Sequence, residues 1–250
     1  MSGHDYLVGI LRREDLQLAE LASLQVARSE IEQVLRAVYG STPRIYYGGS
    51  YAKDTQIRSA YDLDIVMYMP SYDTKPLKDL FDGVRAALVL RNYTVQAKTV
   101  ALRVQYRAGL HVDVVPGRAQ DTTFKYASLY KNPGSWMQTS LKVHIDAIRK
   151  SGVRPVVRLV KLWRLQRSVP LTTFAIELLV TAALKGVAIV DYATALMTVF
   201  QFIAANIMTV KLIDPANSNN EVELSYTDRL TVLQRANEAI QAGYWSQVVS

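Results

Sequence analysis

A serine in a glycine turn and two closely spaced aspartates are the residues of this sequence best suited to chemistry. Ser50 follows Gly48 and Gly49, and Asp62 and Asp64 come twelve and fourteen positions later. Residues i and i+2 of a β-strand project from one face, so both carboxylates are expected to point at one spot. Neighbouring carboxylates repel unless a cation lies between them, and Mg²⁺ binds one or two carboxylates together with phosphate oxygens. The backbone N–H groups of the glycine turn are suited to bind those phosphates.

The alternation around these aspartates predicts the strand that carries them. Leu63, Ile65 and Met67 alternate with the positions of the aspartates, which is typical of a strand with one buried face. A later strand-like segment, 110–115, places Asp113 on the side opposite its own leucine and valines. If the two strands are neighbours, Asp113 completes a trio of carboxylates, but the sequence alone leaves that pairing open.

The composition is that of a globular protein with a basic middle third. The 250 residues are 50% hydrophobic and 20% charged, a balance that argues against disorder. Residues 141–213 carry 10 Lys or Arg against 3 Asp or Glu, the excess expected where an anion binds. The lack of cysteine excludes a disulfide framework and cysteine-ligated zinc. With no recognisable signal peptide or membrane span, we expect a cytoplasmic location and no membrane partner.

The order of the predicted elements indicates two lobes. Residues 9–39 have the apolar spacing of one long helix or two in series, followed by mixed strands and helices and then almost only helix. We therefore predict an α+β, two-lobed fold, with an N-terminal mixed sheet flanked by helices, a C-terminal helical lobe and an active-site cleft between them. The predicted domains are 1–135 and 136–250. Ser135 or Thr139 is expected to cap a helix near their boundary.

A predicted helix in the C-terminal part carries a basic stripe. Arg154, Arg158 and Lys161 recur at i, i+4 and i+7, so their side chains are expected on one side of the helix. Such a stripe suits contact with phosphate or RNA. For the two arginines, a solvated face or structural ion pairs is the alternative interpretation.

Taken in order, these motifs resemble the signature of the polymerase-β-like nucleotidyltransferase superfamily. The matching residues are Gly49-Ser50, Asp62-Leu-Asp64 and the later Asp113. Further blocks resemble the 2′-5′-oligoadenylate synthetases and the related bacterial CD-NTases, which make cyclic oligonucleotide signals. Those blocks are Val157-Arg-Leu-Val-Lys-Leu-Trp163, Thr173-Phe-Ala-Ile-Glu-Leu-Leu179 and Leu212-Ile-Asp-Pro-Ala-Asn217.

The resemblance implies an enzyme that uses two divalent metal ions. Asp62 and Asp64 would hold two Mg²⁺ or Mn²⁺ ions, and Asp113 would bind the one that activates the acceptor hydroxyl. One metal lowers the pKa of that hydroxyl, and the other neutralises charge on the triphosphate and the departing pyrophosphate. Ser50 and the backbone of Gly49 would bind the β- and γ-phosphates.

The resemblance also implies contacts with the donor nucleotide. Lys161 occupies the position of a family lysine that contacts the donor triphosphate. Thr173 and Phe174 align with residues near the donor base and ribose, where Phe174 offers a stacking surface. The chain departs from the synthetases after Gly-Ser-Tyr: Lys53 is a further candidate for phosphate contact, whereas the neighbouring Asp54 adds negative charge.

Three hypotheses follow for the function. The first is a Mg²⁺-dependent nucleotidyltransferase that condenses NTPs, ATP among them, into a short linear or cyclic oligonucleotide signal and releases pyrophosphate. The second is addition of nucleotides to an RNA 3′ end, for which 250 residues leave little RNA-binding surface. The third is a non-catalytic nucleotide- or RNA-binding protein, which has no need of three converging carboxylates. RNA is a candidate activator or acceptor, and base choice, linkage and oligomeric state stay open.

Overall fold

Two units, each assembled from separate stretches of sequence, make up the structure, a computed structural model that describes residues 2–250. The unit here called the sheet unit contains Leu16–Lys53 and Tyr61–Ile145. The other, here called the helical unit, gathers the chain up to Asp15, the short segment Asp54–Ala60 and the stretch Asp146–Ser250. The sequence-based domain boundary stays a prediction.

Helices and strands are mixed up to residue 139, and the elements that follow are mostly helical. The helices are α1 (Gly3–Arg13), α2 (Leu18–Tyr39), α3 (Gly49–Lys53), α4 (Leu77–Leu90), α5 (Leu141–Arg149), α6 (Arg154–Gln166), α7 (Thr173–Ala183), α8 (Tyr192–Asn206) and α9 (Tyr226–Gln241). The strands are β1 (Arg44–Tyr47), β2 (Leu63–Met69), β3 (Thr94–Ala97), β4 (Leu102–Gln105), β5 (His111–Ala119), β6 (Ala127–Lys131), β7 (Ser135–Thr139), β8 (Ile213–Asp214) and β9 (Asn217–Glu221). No helix within residues 2–250 is long and apolar enough to cross a membrane.

The sheet unit is built on a mixed sheet that has seven strands within residues 2–250. Its order is β1-β2-β5-β4-β3, and β6 pairs with the later part of β5 and with β7. The central strands β2 and β5 run parallel, whereas the other pairs are antiparallel. Helices α2 and α4 share one apolar core with these strands, to which they contribute Leu24, Ile31, Leu35, Phe81, Val84 and Leu88. The two parallel central strands, β2 and β5, determine where the candidate site residues lie.

Strand β2 is buried on both faces for most of its length. Ile65 and Met67 belong to the core shared with α2 and α4. On the other face, Val66 and Tyr68 pack in a second small core together with residues of β6. The prediction of a strand with one buried face is therefore wrong beyond Asp64, because the strands that follow β5 cover the second face.

Helix α5 begins later than the capping pattern predicts. Ser135 starts strand β7 and Thr139 ends it, so neither residue caps a helix. The Oγ atom of Ser140 instead accepts a hydrogen bond of 3.2 Å from the N–H of Val143, which satisfies one of the free amides at the start of α5.

The helical unit has a core of its own. Trp163 of α6 and Phe200 of α8 are both buried, with ring centroids 5.0 Å apart. Helix α1 contributes Leu7 and Ile10 to the same core. Residues 9–39 are therefore parts of two helices, α1 and α2, and the two helices belong to different units.

Candidate active site

Two adjacent parallel strands carry the three predicted aspartates. Asp64 of β2 and Asp113 of β5 are direct partners in the ladder, and Asp62 immediately precedes β2. Partners in register on parallel strands project from the same face, and so do residues two apart on one strand. The strand pairing that the sequence leaves open is thus present, and the three carboxylates share one face of the sheet.

Arg103, on the next strand, joins the aspartates. It is the ladder partner of Asp113 across β4 and β5. Its Nε and Nη2 atoms donate hydrogen bonds of 2.8 and 2.7 Å to the two carboxylate oxygens of Asp113. The same Nη2 lies 3.5 Å from Oδ2 of Asp62. Arg103 therefore places a positive charge among the three carboxylates.

The sequence-based predictions do not include Arg103, although the sequence around it contains a signal for its position. Residues 100–106 are strand-like, and Ala108-Gly109 has the composition of a turn before the strand-like segment 110–115. A turn centred on Ala108 pairs residue 103 with residue 113. That register places Arg103 beside Asp113, but the turn length must be known to derive it.

Asp64 titrates far from the usual range of a carboxyl. Burial, and next the negative charges of Asp62 and Asp113, raise the pKa of Asp64 from 3.8 to about 7, while Lys53 and Arg103 oppose the shift. Burial and like charges both disfavour the ionised carboxylate. The ionised form of Asp64 is therefore disfavoured in this site, first by burial and then by the two neighbouring carboxylates.

The glycine turn packs directly against Asp64. The N–H of Gly48 donates to the backbone carbonyl of Asp64 at 2.8 Å. Gly49 has φ +51, and a Cβ built there would lie 1.5 Å from Oδ2 of Asp64, so only glycine fits. Ser50 and Lys53 follow in the short helix α3 and are only 7% and 8% exposed.

The predicted donor-nucleotide residues lie in the helical unit. The Nζ atom of Lys161, which is 3% exposed, donates a 2.8 Å hydrogen bond to the carbonyl of Thr55. Thr173 and Phe174 are the half-buried first residues of α7. This helix is capped by Thr172, whose Oγ1 accepts a 3.1 Å hydrogen bond from a first-turn amide.

The two arginines of the basic stripe form ion pairs inside the helical unit. Arg154 pairs with Asp54. Arg158 pairs with Asp15 at 2.8 Å and donates to the carbonyl of Gln56 at 2.8 Å. These contacts fit the alternative interpretation of the two arginines, that they form structural ion pairs. Their contact with phosphate or RNA stays a prediction.

The donor chemistry of the aspartates fits a divalent cation, although their present arrangement is one around an arginine. Across residues 2–250, no group of three or more His, Cys, Asp or Glu side chains is arranged to hold a metal ion. Both oxygens of Asp113 accept hydrogen bonds from Arg103. Carboxylate oxygens are the ligands that Mg²⁺ prefers, and it is this donor chemistry that fits the cation. The role of the three aspartates as metal ligands stays a prediction.

A mixed sheet with these aspartates on paired parallel strands places the chain among the polymerase-β-like nucleotidyltransferases. A family model of the Second Messenger Oligonucleotide or Dinucleotide Synthetase domain matches residues 1–151. The chain belongs to this family, in the CD-NTase branch of the nucleotidyltransferases. The predicted superfamily and enzyme class are therefore confirmed, as is the condensation of NTPs into an oligonucleotide second messenger.

Known relatives agree with this membership. The cyclic AMP-AMP-AMP synthase of Escherichia coli (strain MS 115-1) is 28% identical, over 82% of this chain and 78% of its own length. The structure of E. coli MS115-1 CdnC with ATP superposes with a TM-score of 0.77 at 22% identity, covering 99% of this chain and 97% of that one. The structure of Bradyrhizobium diazoefficiens CdnG with GTP gives a TM-score of 0.77 at 16% identity, with coverages of 94% and 89%. The predicted α+β fold is thereby confirmed.

Proposed function

We propose that this chain condenses ATP, alone or with a second NTP, into a cyclic oligonucleotide second messenger and releases pyrophosphate. The observation that carries the proposal is the register of β2 with β5, which sets Asp64 beside Asp113 in a member of this synthetase family. The choice of ATP and of a cyclic product is supported by the E. coli relatives, one a cyclic AMP-AMP-AMP synthase and one solved with ATP. Since NTPs are cytoplasmic metabolites, we also propose a cytoplasmic location.

The reaction joins two nucleotides at a phosphorus atom. A ribose hydroxyl of one NTP bonds to the α-phosphorus of another, the bond to the β-phosphate breaks, and the hydroxyl proton is lost. Two bound Mg²⁺ or Mn²⁺ ions would supply Lewis acidity that lowers the pKa of the hydroxyl and neutralises the triphosphate. Asp62, Asp64 and Asp113 are the residues proposed to hold them, with Asp113 on the side of the acceptor hydroxyl.

The glycine turn is proposed to hold the donor phosphates. Because Gly49 has no Cβ, the carboxylate of Asp64 has room beside the turn. The backbone N–H of Gly49 and the hydroxyl of Ser50 are then proposed to donate to the β- and γ-phosphates, and Lys53 to add positive charge there.

Residues of the helical unit are proposed to bind the rest of the donor nucleotide. Lys161 is the proposed triphosphate contact, while Thr173 and Phe174 are proposed to lie against the ribose and base. The support is the match of their sequence blocks to the family. Arg154 and Arg158 are weaker candidates for phosphate or RNA contact, because each already has an acidic partner.

Product analysis tests the proposal. The purified chain is incubated with each α-³²P-labelled NTP, singly and in pairs, with Mg²⁺ or Mn²⁺ and without RNA. The products are then treated with phosphatase and analysed by chromatography and mass spectrometry. We expect an adenine-containing product that resists phosphatase, because a cyclic oligonucleotide has no terminal phosphate.

A parallel reaction contains a labelled RNA oligonucleotide together with the NTPs. Extension of the RNA 3′ end without any product from NTPs alone would replace the proposal with RNA tailing. Binding of NTPs without turnover in either reaction would favour a binding protein. The Asp64→Asn variant is the control, and full activity in that variant would contradict the proposed metal site.

A further inference from the structure

Arg103 lies in the acidic site and not at its rim. Its side chain is 30% exposed and that of Asp113 is 13% exposed. The guanidinium binds both oxygens of Asp113 in a fork geometry and reaches Asp62 with the same terminal nitrogen. Paired, charge-assisted hydrogen bonds of this kind hold a carboxylate in a fixed orientation. Arg103 thus contacts two of the three side chains proposed as metal ligands.

The guanidinium of Arg103 and divalent cations compete for the negative charge of the same three carboxylates. The three aspartates bring three negative charges when ionised, and Arg103 neutralises one of them. Divalent ions bound to the same carboxylates would stand close to the guanidinium and repel it. Arg103 cannot lose its charge to relieve this repulsion, since arginine stays protonated in proteins.

We propose that Arg103 is the internal counter-ion of the acidic site, which holds Asp113 until divalent metal displaces it and so sets the metal concentration at which the site fills. The inference rests on the proposed function, in which Asp62, Asp64 and Asp113 are the metal ligands. Arg103 is then a positioning residue: it orients a ligand in the metal-free protein and gives up that contact as the ions enter.

Direct measurement of Mn²⁺ binding tests the proposal without recourse to turnover. Free Mn²⁺ is titrated by electron paramagnetic resonance against the metal-free chain and its variants. Arg103→Gln removes the competing charge, so we expect it to bind Mn²⁺ about tenfold more tightly than the wild type. Arg103→Lys keeps the positive charge but loses the bidentate hydrogen bonds to Asp113, so we expect it to bind Mn²⁺ about threefold more tightly than the wild type.

A neighbouring arginine supplies the matched control. Arg107 follows β4 on the same hairpin, is 75% exposed and pairs with Glu30 at 3.0 Å. Arg107→Gln removes the same charge from the same hairpin, and its Mn²⁺ affinity should equal that of the wild type. A rise equal to that of Arg103→Gln would show a general effect of net charge and overturn the proposal.

Two further measurements show whether Arg103 balances the charge of the aspartates or only supports the fold. In EDTA, Arg103→Gln should melt at a lower temperature than the wild type, and added Mn²⁺ should close that gap. In steady-state assays, the metal concentration for half-maximal rate should fall in parallel with the Mn²⁺ dissociation constant. Unchanged or weaker Mn²⁺ binding in folded Arg103→Gln or Arg103→Lys overturns the proposal.

The Asp64→Asn variant separates this inference from the proposed function. If Asp64→Asn lowers Mn²⁺ affinity while the Arg103 variants match the wild type, the metal site stands and the role of Arg103 fails. If Asp64→Asn binds Mn²⁺ as tightly as the wild type, the proposed metal site fails, and the inference fails with it.

Discussion

At the scale of one residue, the buried carboxyl of Asp64 in the candidate site lowers the stability of the folded protein at neutral pH. Its pKa of about 7 in the folded protein, against an ordinary 3.8, means that the folded state holds a proton that the unfolded chain has released between these two pH values. The state that binds more protons is favoured at lower pH. The stability of the metal-free protein is therefore expected to fall as pH rises from about 4 to 7 and to stay low above 7, so far as Asp64 determines it.

The Asp64→Asn variant should consequently be more stable than the wild type in EDTA at pH 8. We expect the free energy of unfolding to rise by about 2 kcal/mol. This is less than the full pKa shift of Asp64 implies, because solvent reaches part of the side chain. The gain should shrink as the pH falls toward 4, where the wild-type carboxyl is protonated in both states. Urea denaturation at pH 8 and pH 5 measures it. If Asp64→Asn is less stable than the wild type at pH 8, burial and the neighbouring charges do not destabilise the ionised carboxylate as argued. The activity of the same variant should fall about 10³-fold or more.

At the scale of elements, the close approach of α3 to β2 is what positions Asp64. The approach depends on Gly49, because any side chain there would occupy the space of the Asp64 carboxylate. The positive φ of this residue adds a second reason for glycine. Gly49 is therefore needed both for the packing of α3 on β2 and for the position of the Asp64 carboxylate.

Gly49→Ala is expected to displace the Asp64 carboxylate and lower activity by about 10²-fold, the usual effect of a misplacement near 1 Å. Gly40→Ala is the matched control, since Gly40 has φ +60 but open space around its would-be Cβ. Because Gly40 also has ψ −145, a backbone conformation that glycine almost alone adopts, the variant should lose about 1–3 kcal/mol of stability to backbone strain and keep its activity. Pyrophosphate release measures the activity of both variants, and thermal melts measure their stability. Equal activity in the two variants would contradict the steric role of Gly49.

Local patterns predict the strands of the site, because alternation along a strand reports its faces directly. The positions of Asp62, Asp64 and Asp113 follow from that period of two. The partner of Asp113 does not, since the turn between β4 and β5 includes a short 3₁₀ segment with Ala108 at φ 54. Alternation around Arg103 is equally compatible with an exposed edge. Only the ladder register shows that its side chain faces a carboxylate.

Features that depend on distant segments escape a local analysis. The second buried face of β2 is covered through β6, which follows it by more than fifty residues. Helix α5 begins after a strand that uses the predicted capping residues, so the capping signal at Ser135 is overridden by pairing with β6. Tertiary pairing outweighs local propensity in both cases.

At the scale of the whole molecule, chain order and unit membership differ. Helix α1 lies at the start of the sequence, yet its apolar side packs in the core formed by α6, α8 and their neighbours. The predicted domains follow sequence order, which carries no information about this return of the chain. Family membership, in contrast, follows from motifs spread in order along most of the sequence and is recognisable without coordinates.

Leu7→Ala tests this assignment. Leu7 is fully buried in the core of the helical unit, so its truncation should cost about 2–5 kcal/mol. Hydrogen exchange should show lost protection in α6 and α8 and smaller changes in β2 and β5. Leu18→Ala, at a position that is 85% exposed, is the control and should change stability by less than about 0.5 kcal/mol. Equal loss of protection in β2 and α6 would contradict separate cores.

The discontinuous helical unit has a consequence for how the protein is made. The sheet unit ends at Ile145, and the residues given above for its cores all precede that position, so this part of the sequence is complete while the C-terminal helices are still being translated. Helix α1 is translated before the other elements of the helical unit. Its packing is complete only after residue 249 has been made, since Tyr6 donates a 3.0 Å hydrogen bond to the carbonyl of Val249. Until then Leu7, Ile10 and Leu11 have no core to enter, and exposed apolar surface on a nascent chain invites aggregation. Slow translation of the C-terminal helices should therefore raise the dependence of this protein on chaperones that shield its first helix.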